Sequence, residues 1–268
     1  MITSTSNIQV KTVINLLKKS GERKKSGLFV IEGLRIFMEA PAALVHRIYA
    51  SESFIAAHGK LLDGFEYEIV SDNVFRQMSD TRTPQGILAI MKMPAYNIPD
   101  ITSAKNPMII VLENIQDPGN LGTIMRSAEG AGAAGVIMSR DTVDIYNPKT
   151  IRSTMGSLFR VPFIISDDIY KTVCGLKDEG VKIYAARLDG SNEYYRENYC
   201  GPCAVMIGNE GNGLTDKLSS CADKYIRIPM EGSLESLNAA VSASVIMYEA
   251  ARQRPVSYTH LRAHETSQ

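Results

Sequence analysis

The sequence predicts an α/β protein in two units, a small α/β unit followed by a larger one with a mostly parallel sheet covered by helices. Three observations carry that prediction. Short apolar runs alternate with helix-spaced apolar stretches along most of the chain. The alternation lapses once, over residues 94–107, which hold Pro94, Pro99 and Pro107 and little apolar periodicity. In the second unit Gly, Asn or Pro follows closely on three apolar runs, Met108 to Leu112, Ala204 to Ile207 and Tyr225 to Ile228. Polar loops at the ends of buried strands are where open α/β sheets hold their ligands.

In the first unit, residues 8–93, the spacing of Ile8, Val10, Val13, Ile14, Leu16 and Leu17 predicts a helix to Ser20 that Gly21 ends. Leu28 to Ile31 then reads as a strand. Gly33 to Ala40, Leu44 to Ala50, Phe65 to Val70, Ser71 to Ser79 and Ile87 to Met91 complete the unit. Residues 94–107 read as a linker. The second unit, residues 108–254, continues with a strand to Leu112, a helix over Gly119 to Glu129, a strand over Gly135 to Met138, a helix over Pro148 to Leu158 and a strand over Val161 to Ile164. A helix over Ile169 to Asp178, strands over Val181 to Ala186, Ala204 to Ile207 and Tyr225 to Ile228, and a closing helix over Leu237 to Arg252 follow. The closing helix carries an apolar stripe of Leu237, Val241, Val245 and Tyr248 that serves either the core or a partner. A fragment starting near Pro94 is expected to fold by itself.

Lys plus Arg and Asp plus Glu both number 29, so no global basic field marks a polyanionic partner and any nucleic-acid contact rests on a local patch. The candidate patch is N-terminal. Lys18, Lys19, Arg23, Lys24 and Lys25 lie in a segment whose acidic residues are Glu22 and Glu32, and they read equally as RNA contacts or as a solvated helix end. No apolar run approaches the ~20 residues that span a bilayer, and the N-terminus lacks a signal-peptide pattern, so the expectation is a cytoplasmic protein. Four cysteines in 268 residues make no disulfide framework and are expected as reduced thiols. Pro255 to Gln268 looks unlike its neighbour and reads as non-native. It holds His260 and His264, which follow a proline, and no metal site is expected.

Two motifs mimic other chemistries. Gly130-Ala131-Gly132-Ala133-Ala134-Gly135 fits G-x-G-x-x-G, but it follows a helix and leads into a strand, the reverse of a dinucleotide site. It is expected to be a helix C-cap. Cys200-Gly201-Pro202-Cys203 copies a dithiol motif, but it opens a strand and not the helix whose dipole would lower a thiol pKa. It is expected to be a turn with two incidental thiols.

Glu113-Asn114-Ile115-Gln116-Asp117-Pro118-Gly119-Asn120-Leu121-Gly122 running to Arg126, then Ile207-Gly208-Asn209-Glu210-Gly211, and finally Ile228-Pro229-Met230 with Ser236-Leu237-Asn238 resemble, in residues and order, motifs 1, 2 and 3 of the SpoU (TrmH-type) RNA ribose 2'-O-methyltransferases of the SPOUT superfamily. Phe29-Val30-Ile31-Glu32-Gly33 and Thr83-Pro84-Gln85-Gly86-Ile87-Leu88 are similar to the L30e-like substrate-binding domain that often precedes the catalytic domain there. The resemblance implies a trefoil-knotted SPOUT domain, a homodimer with its site near the interface, and S-adenosylmethionine as methyl donor without a metal. It also implies RNA as partner, most naturally 23S ribosomal RNA, with transfer RNA as the alternative.

By the same resemblance, Gly208, Ile228 and Leu237 hold the donor, joined by Met230 and Asn238, largely through main-chain groups and apolar contact. The implied catalytic set is Asn120, Arg126, Glu210, Ser236 and Asn238. The family arginine is sometimes assigned as general base. A guanidinium's intrinsic pKa above ~12 makes the neutral form scarce, so the reading here is a charged Arg126 that grips phosphate and favours the developing 2'-oxyanion. Glu210 is read as positioning Arg126, Asn120 and Asn238 as orienting ribose or loop backbone, and Ser236 as capping the last helix. Two other classes stand beside this one: a non-catalytic RNA-binding protein, against which the retained polar set argues, and a nucleotide-dependent oxidoreductase, which rests on the two mimics.

Overall fold

The structure is a computed structural model and describes residues 1–189, 192–234 and 236–254. The tail from Pro255 onward lies outside the described residues. The first unit runs α1 (Ile8–Lys18), α2 (Ser20–Ser26), β1 (Leu28–Glu32), α3 (Leu34–Glu39), β2 (Val45–Ser51), α4 (Glu52–His58), β3 (Tyr67–Val70), α5 (Asp72–Met78) and β4 (Ile87–Lys92). Its four strands form one mixed sheet in the order β1-β4-β2-β3.

Gly21 does not end the first helix, as the sequence suggested. Lys19 turns extended after α1, and the chain re-enters α2 until Gly27 closes it in the left-handed region at φ 67°. The apolar stripe of α1 (Val10, Val13, Leu16) packs with α5 on one face of this sheet, over Val30, Tyr49 and Leu88.

The second unit runs α6 (Ile98–Thr102), β5 (Met108–Leu112), α7 (Pro118–Gly130), β6 (Gly135–Ser139), α8 (Pro148–Thr154), β7 (Phe163–Ser166), α9 (Ile169–Asp178), β8 (Lys182–Ala186), β9 (Asn192–Glu193), β10 (Cys203–Ile207), α10 (Asp216–Ser219), β11 (Lys224–Arg227) and α11 (Ala239–Gln253). Its seven strands pair in the order β7-β6-β5-β10-β8-β11-β9, every pair parallel. The central strands β5, β6 and β10 are buried at all five positions, which explains why they read as unbroken apolar runs. Residues of α7, α8 and α11 share one core with alternate strand positions such as Ile110 and Val205. Residues of α9 and α10 share the other core, with Ile109 and Ala204.

The helix predicted through Leu158 stops at Thr154, because Met155 and Gly156 both take positive φ and turn the chain. The stretch 94–107 is not a free linker. Asn97 and Asp100 form a capping box on α6, Ile101 is fully buried, and Ile101 approaches Gly135 so closely that a Cβ there would lie 2.6 Å from its side chain.

The second face of the first sheet is not solvated. Phe29, Ile31, Phe37 and Met91 join the same core as Tyr146, Leu158 and Phe163 of the second unit, with the Phe29 and Tyr146 rings 4.7 Å apart. Fully burying each such side chain contributes about 1.5–3 kcal/mol. A fragment starting near Pro94 would bare this apolar surface. Three ion pairs also cross the junction: Arg23 with Asp144 at 2.6 Å, Arg152 with Asp80 at 2.8 Å and Arg160 with Glu39 at 2.9 Å.

Arg23 therefore departs from the basic patch to which the sequence assigned it. Its side chain is 4% exposed, and its guanidinium also donates to the Leu16 and Leu17 carbonyls, so its fork is consumed inside the protein. Lys18, Lys19, Lys24 and Lys25 remain exposed.

Candidate active site

The three polar loops meet at the carboxyl ends of β5, β10 and β11. A cleft of about 720 Å3 lies there, lined by Ile207, Leu214, Ile226, Ile228 and Ile246, by the turn Gly208–Gly213 and by the segment Pro229–Met230 with Ser236 and Leu237. The loop after β10 is a tight hairpin-like turn in which Asn209 and Gly213 exchange backbone hydrogen bonds at 3.0 and 2.9 Å. Gly213 takes φ +68°, and a Cβ on Gly208 would lie 2.1 Å from the Gly213 carbonyl carbon. That contact is backbone against backbone, so only glycine fits at 208.

The loop after β10 is tied to the loop after β5. Asn209 donates through Nδ2 to the Asn114 carbonyl at 2.8 Å and accepts at Oδ1 from the Gly211 and Asn212 amides. Glu210 accepts from the backbone amides of Gln116 and Asp117 at 3.1 Å each and from Asn120 Nδ2 at 2.9 Å. Burial alone would raise the Glu210 carboxyl, but the hydrogen bonds from Asn120 and the loop amides outweigh it and hold the group below its ordinary value.

Asn238 extends the network to the last helix. It donates through Nδ2 to Asn120 Oδ1 at 2.9 Å, and its own Oδ1 accepts from the Ala240 and Val241 amides. The cap of α11 is thus Asn238. Ser236, expected in that role, instead lines the cleft. The capping bond satisfies amides that the helix leaves unpaired.

Of the expected donor contacts, Gly208, Ile228, Met230 and Leu237 line the cleft, as do Glu210 and Ser236. Asn120 and Asn238 stand behind it, linked to it through Glu210. Arg126 does not line it. Arg126 is exposed on α7 and forms no ion pair with a described residue, so Glu210 does not position it as the sequence reading held.

Three cleft or loop residues were given no role by the sequence, although Asn114 and Gln116 lie in the first motif. Asn114 takes the left-handed region at φ 57°, for which an Asn two residues past the strand end was the available signal. Gln116 gives its amide to Glu210 and its side chain to the Asp141 carbonyl. Arg187, at the end of β8, lines the cleft and is held by Asp189 at 2.8 Å and Asp216 at 3.2 Å. Nothing in its sequence surroundings marked it.

The mimics resolve as turns. Gly130 ends α7 and Gly132 takes φ +72° at the helix exit, with no helix N-terminus following. Cys203 is the buried first residue of β10, and Cys200 precedes it in an exposed turn. Among the described residues no group of three or more His, Cys, Asp or Glu side chains is arranged to hold a metal ion, and no helix is long and apolar enough to cross a membrane.

An open parallel sheet with polar loops converging on a cleft at the strand ends is the architecture of an α/β enzyme that binds a nucleotide-like co-substrate there. The family is narrower. Residues 107–248 match the SpoU rRNA Methylase family and residues 7–89 match the MRM3-like substrate binding domain. The chain belongs to the SpoU methylase family.

It is 34% identical, over 92% of its length and 97% of the relative's, to a 23S rRNA (guanosine(2553)-2'-O)-methyltransferase from Bacillus subtilis. It is also 34% identical, over 64% of this chain and 61% of the relative, to a 23S rRNA (uridine(2479)-2'-O)-methyltransferase from Streptomyces viridochromogenes. The SpoU methyltransferase AviRb from the same Streptomyces, solved in complex with AdoMet, superposes with a TM-score of 0.84 at 26% identity, covering 92% of this chain and 98% of that one. An AdoMet-bound rRNA methyltransferase from Sinorhizobium meliloti superposes with a TM-score of 0.82 at 29% identity, over 94% and 97% of the two chains.

Proposed function

We propose that this protein transfers the methyl group of S-adenosylmethionine to a ribose 2'-hydroxyl of 23S ribosomal RNA. The observation that carries the reading is the cleft itself, beside which the three loops are cross-braced by Asn209, Glu210, Asn120 and Asn238 and whose wall combines apolar side chains with the glycine-rich loop after β10. Such a wall suits the donor's purine, which carries no charge to pair. Its residues fit the donor: Gly208 and Leu237 supply main chain, and Ile228 and Met230 supply apolar surface. When bound, the donor supplies a methyl carbon on a cationic sulfonium. The chain's task is to orient and activate the hydroxyl, for which holding both reactants in line is worth ~7 to 11 kcal/mol.

In this reading Asn120, Glu210 and Asn238 set the shape of the loops, and Ser236 at the cleft edge meets the ribose. Arg126, charged, holds a phosphate and stabilises the developing oxyanion. Because Arg126 is exposed on α7 and stands outside its own cleft, the site is completed by a second copy of the chain in a homodimer. Val241 and Tyr248, 47% and 55% exposed on α11 beside α7, supply apolar contact surface for it. The C-terminal segment is threaded as the SPOUT knot, and the protein works in the cytoplasm. Residues 8–93 bind the RNA, with Lys18, Lys19, Lys24 and Lys25 as phosphate contacts, and residues 108–254 carry the chemistry.

The two relatives are named for a guanosine and a uridine, so the base is left to the experiment. The test is methyl transfer from labelled donor to 23S ribosomal RNA, with nucleotide-resolution mapping of 2'-O-methyl groups in cells with and without the protein. Donor binding to the folded protein with no RNA transfer would leave a binding protein. Transfer to transfer RNA alone would move the substrate.

A further inference from the structure

The dithiol motif at Cys200 and Cys203 is the pair a sequence reader would choose for redox chemistry, and the fold turns its two sulfurs to separate partners. Cys200 Sγ faces the Gln253 carbonyl at 3.3 Å, and Cys203 Sγ takes a hydrogen bond from Arg254 Nη2 at 3.2 Å. The other two thiols, 47 residues apart in sequence, face each other. Cys174 on α9 and Cys221, in the connection from α10 to β11, have their sulfurs 3.2 Å apart.

We propose that Cys174 and Cys221 are a disulfide-forming pair that clips α9 to the connection entering β11. A disulfide needs its sulfurs at about 2.05 Å, so each side chain has to give only a fraction of an ångström. The two members differ in access as a reacting and a resolving thiol must. Cys174 is half-buried, while Cys221 is 4% exposed. Burial, and the hydrogen bond with Cys174, push the Cys221 thiol up to about 12, so it waits as a thiol. Two ammonium groups stand nearby: Lys177 donates to the Cys221 carbonyl at 3.0 Å, and Lys217 lies over the ring of Tyr170 at 4.9 Å.

The oxidant is a hydroperoxide. Cys174 attacks its terminal oxygen, the O–O bond breaks, and an alcohol (water for hydrogen peroxide) leaves, giving the Cys174 sulfenic acid. Cys221 sulfur then attacks Cys174 sulfur, the S–O bond breaks, the Cys221 proton leaves with the hydroxyl as water, and the disulfide forms. Two thiols lose two electrons and the peroxide gains them. A thiol reductant reverses the bond by exchange.

The segment between the two cysteines includes β8, β10 and the Gly208–Leu214 turn, which form one wall of the cleft. Closing it at both ends restricts that wall's openings. The bond is therefore expected to slow amide exchange through the turn severalfold.

The experiment treats the whole protein with hydrogen peroxide, counts free thiols and maps disulfide-linked peptides by mass. The expected result is a fall from four free thiols to two, a peptide joining Cys174 to Cys221 that is two hydrogens lighter than its parts, reversal by dithiothreitol, and slower exchange over residues 208–214. Cys174→Ser, or Cys174→Ala if the first misfolds, abolishes the link. The double change Cys200→Ser with Cys203→Ser leaves it intact. A link between Cys200 and Cys203 in its place, four thiols surviving, Cys174 driven to sulfinic acid with no link, or unchanged exchange in the linked protein would each overturn the proposal.

Discussion

The cleft and the face of α7 that carries Arg126 are built on opposite principles. Around the cleft the polar side chains that link the three loops are committed: Glu210 accepts three donors, Asn238 serves two elements and Asn209 spans two loops. On α7, two turns away, Arg126 is exposed and pairs with no described carboxylate. A region preorganised by internal hydrogen bonds holds a small molecule without further ordering, whereas a free guanidinium waits for an anion from outside. In the proposed mechanism the difference separates a donor half that one chain completes from an acceptor half that needs RNA and a second copy.

The strongest way to break this comparison is Arg126→Ala. Loss of a preorganised cation at a developing oxyanion costs ~10²–10³ in kcat, and donor affinity by calorimetry is expected to stay within about twofold, well below the tenfold that 1.4 kcal/mol represents. Turnover at the wild-type rate on saturating RNA would remove Arg126 from the site. Mixing Arg126→Ala chains with Gly208→Val chains is expected to restore activity in the mixed dimer, and no restoration would place both halves within one chain.

Next in size is Gly208→Ala. Its Cβ meets the Gly213 backbone at 2.1 Å, and overpacking of about 1–3 kcal/mol translates into a loss of roughly 5- to 150-fold in donor affinity. Wild-type affinity in that variant would move the donor elsewhere.

Arg23 and its exposed neighbours sharpen the same contrast within the first unit. Arg23→Ala strands Asp144 without its partner and is expected to destabilise the fold by about 3 kcal/mol, read from urea unfolding. Lys24→Ala with Lys25→Ala is expected to leave stability within about 0.5 kcal/mol. It should flatten the log-log salt slope of RNA binding by ~0.7 to 0.9 per lost phosphate contact. An unchanged RNA slope in the double variant would return those lysines to a solvated surface.

The smallest effect is on pH. Glu210 titrates below its ordinary value when folded, so its contribution is complete above the unfolded carboxylate pKa and fades only as pH falls through the lower folded one. Unfolding free energy is expected to be flat between about pH 8 and pH 5 on this account and to fall below that. Glu210→Gln should lower stability at neutral pH and remove this group's share of the acid fall, read from urea unfolding. A fall already centred near pH 6 would assign the control to another group.

Strand and helix placement in the second unit was largely legible, because central parallel strands are apolar at every position and the loops at their ends are rich in Gly and Asn. Met108–Leu112 and Ile169–Asp178 lie where the pattern put them. Less was legible in the first unit. Helix α4 (Glu52–His58) went unread, since its Phe54 is its sole buried side chain and leaves no apolar period to detect. The site divided similarly: residue types after strands announced Gly208, Glu210 and Asn238, while the partners of each were hidden.

By itself the sequence determined the alternation of elements, the three loops and the chemistry class they resemble, because periodicity and turn residues are local properties of the chain. Tertiary structure decided which polar groups meet. It made Arg23 a buried anchor and left Lys24 in water one residue away, gave the last helix's cap to Asn238 and not Ser236, folded the supposed linker onto Gly135, and set Cys174 beside Cys221 while turning Cys200 and Cys203 to other partners. Each of these depends on distances between residues far apart in the chain, set by how the two sheets and their helices pack, and no local pattern encodes such distances.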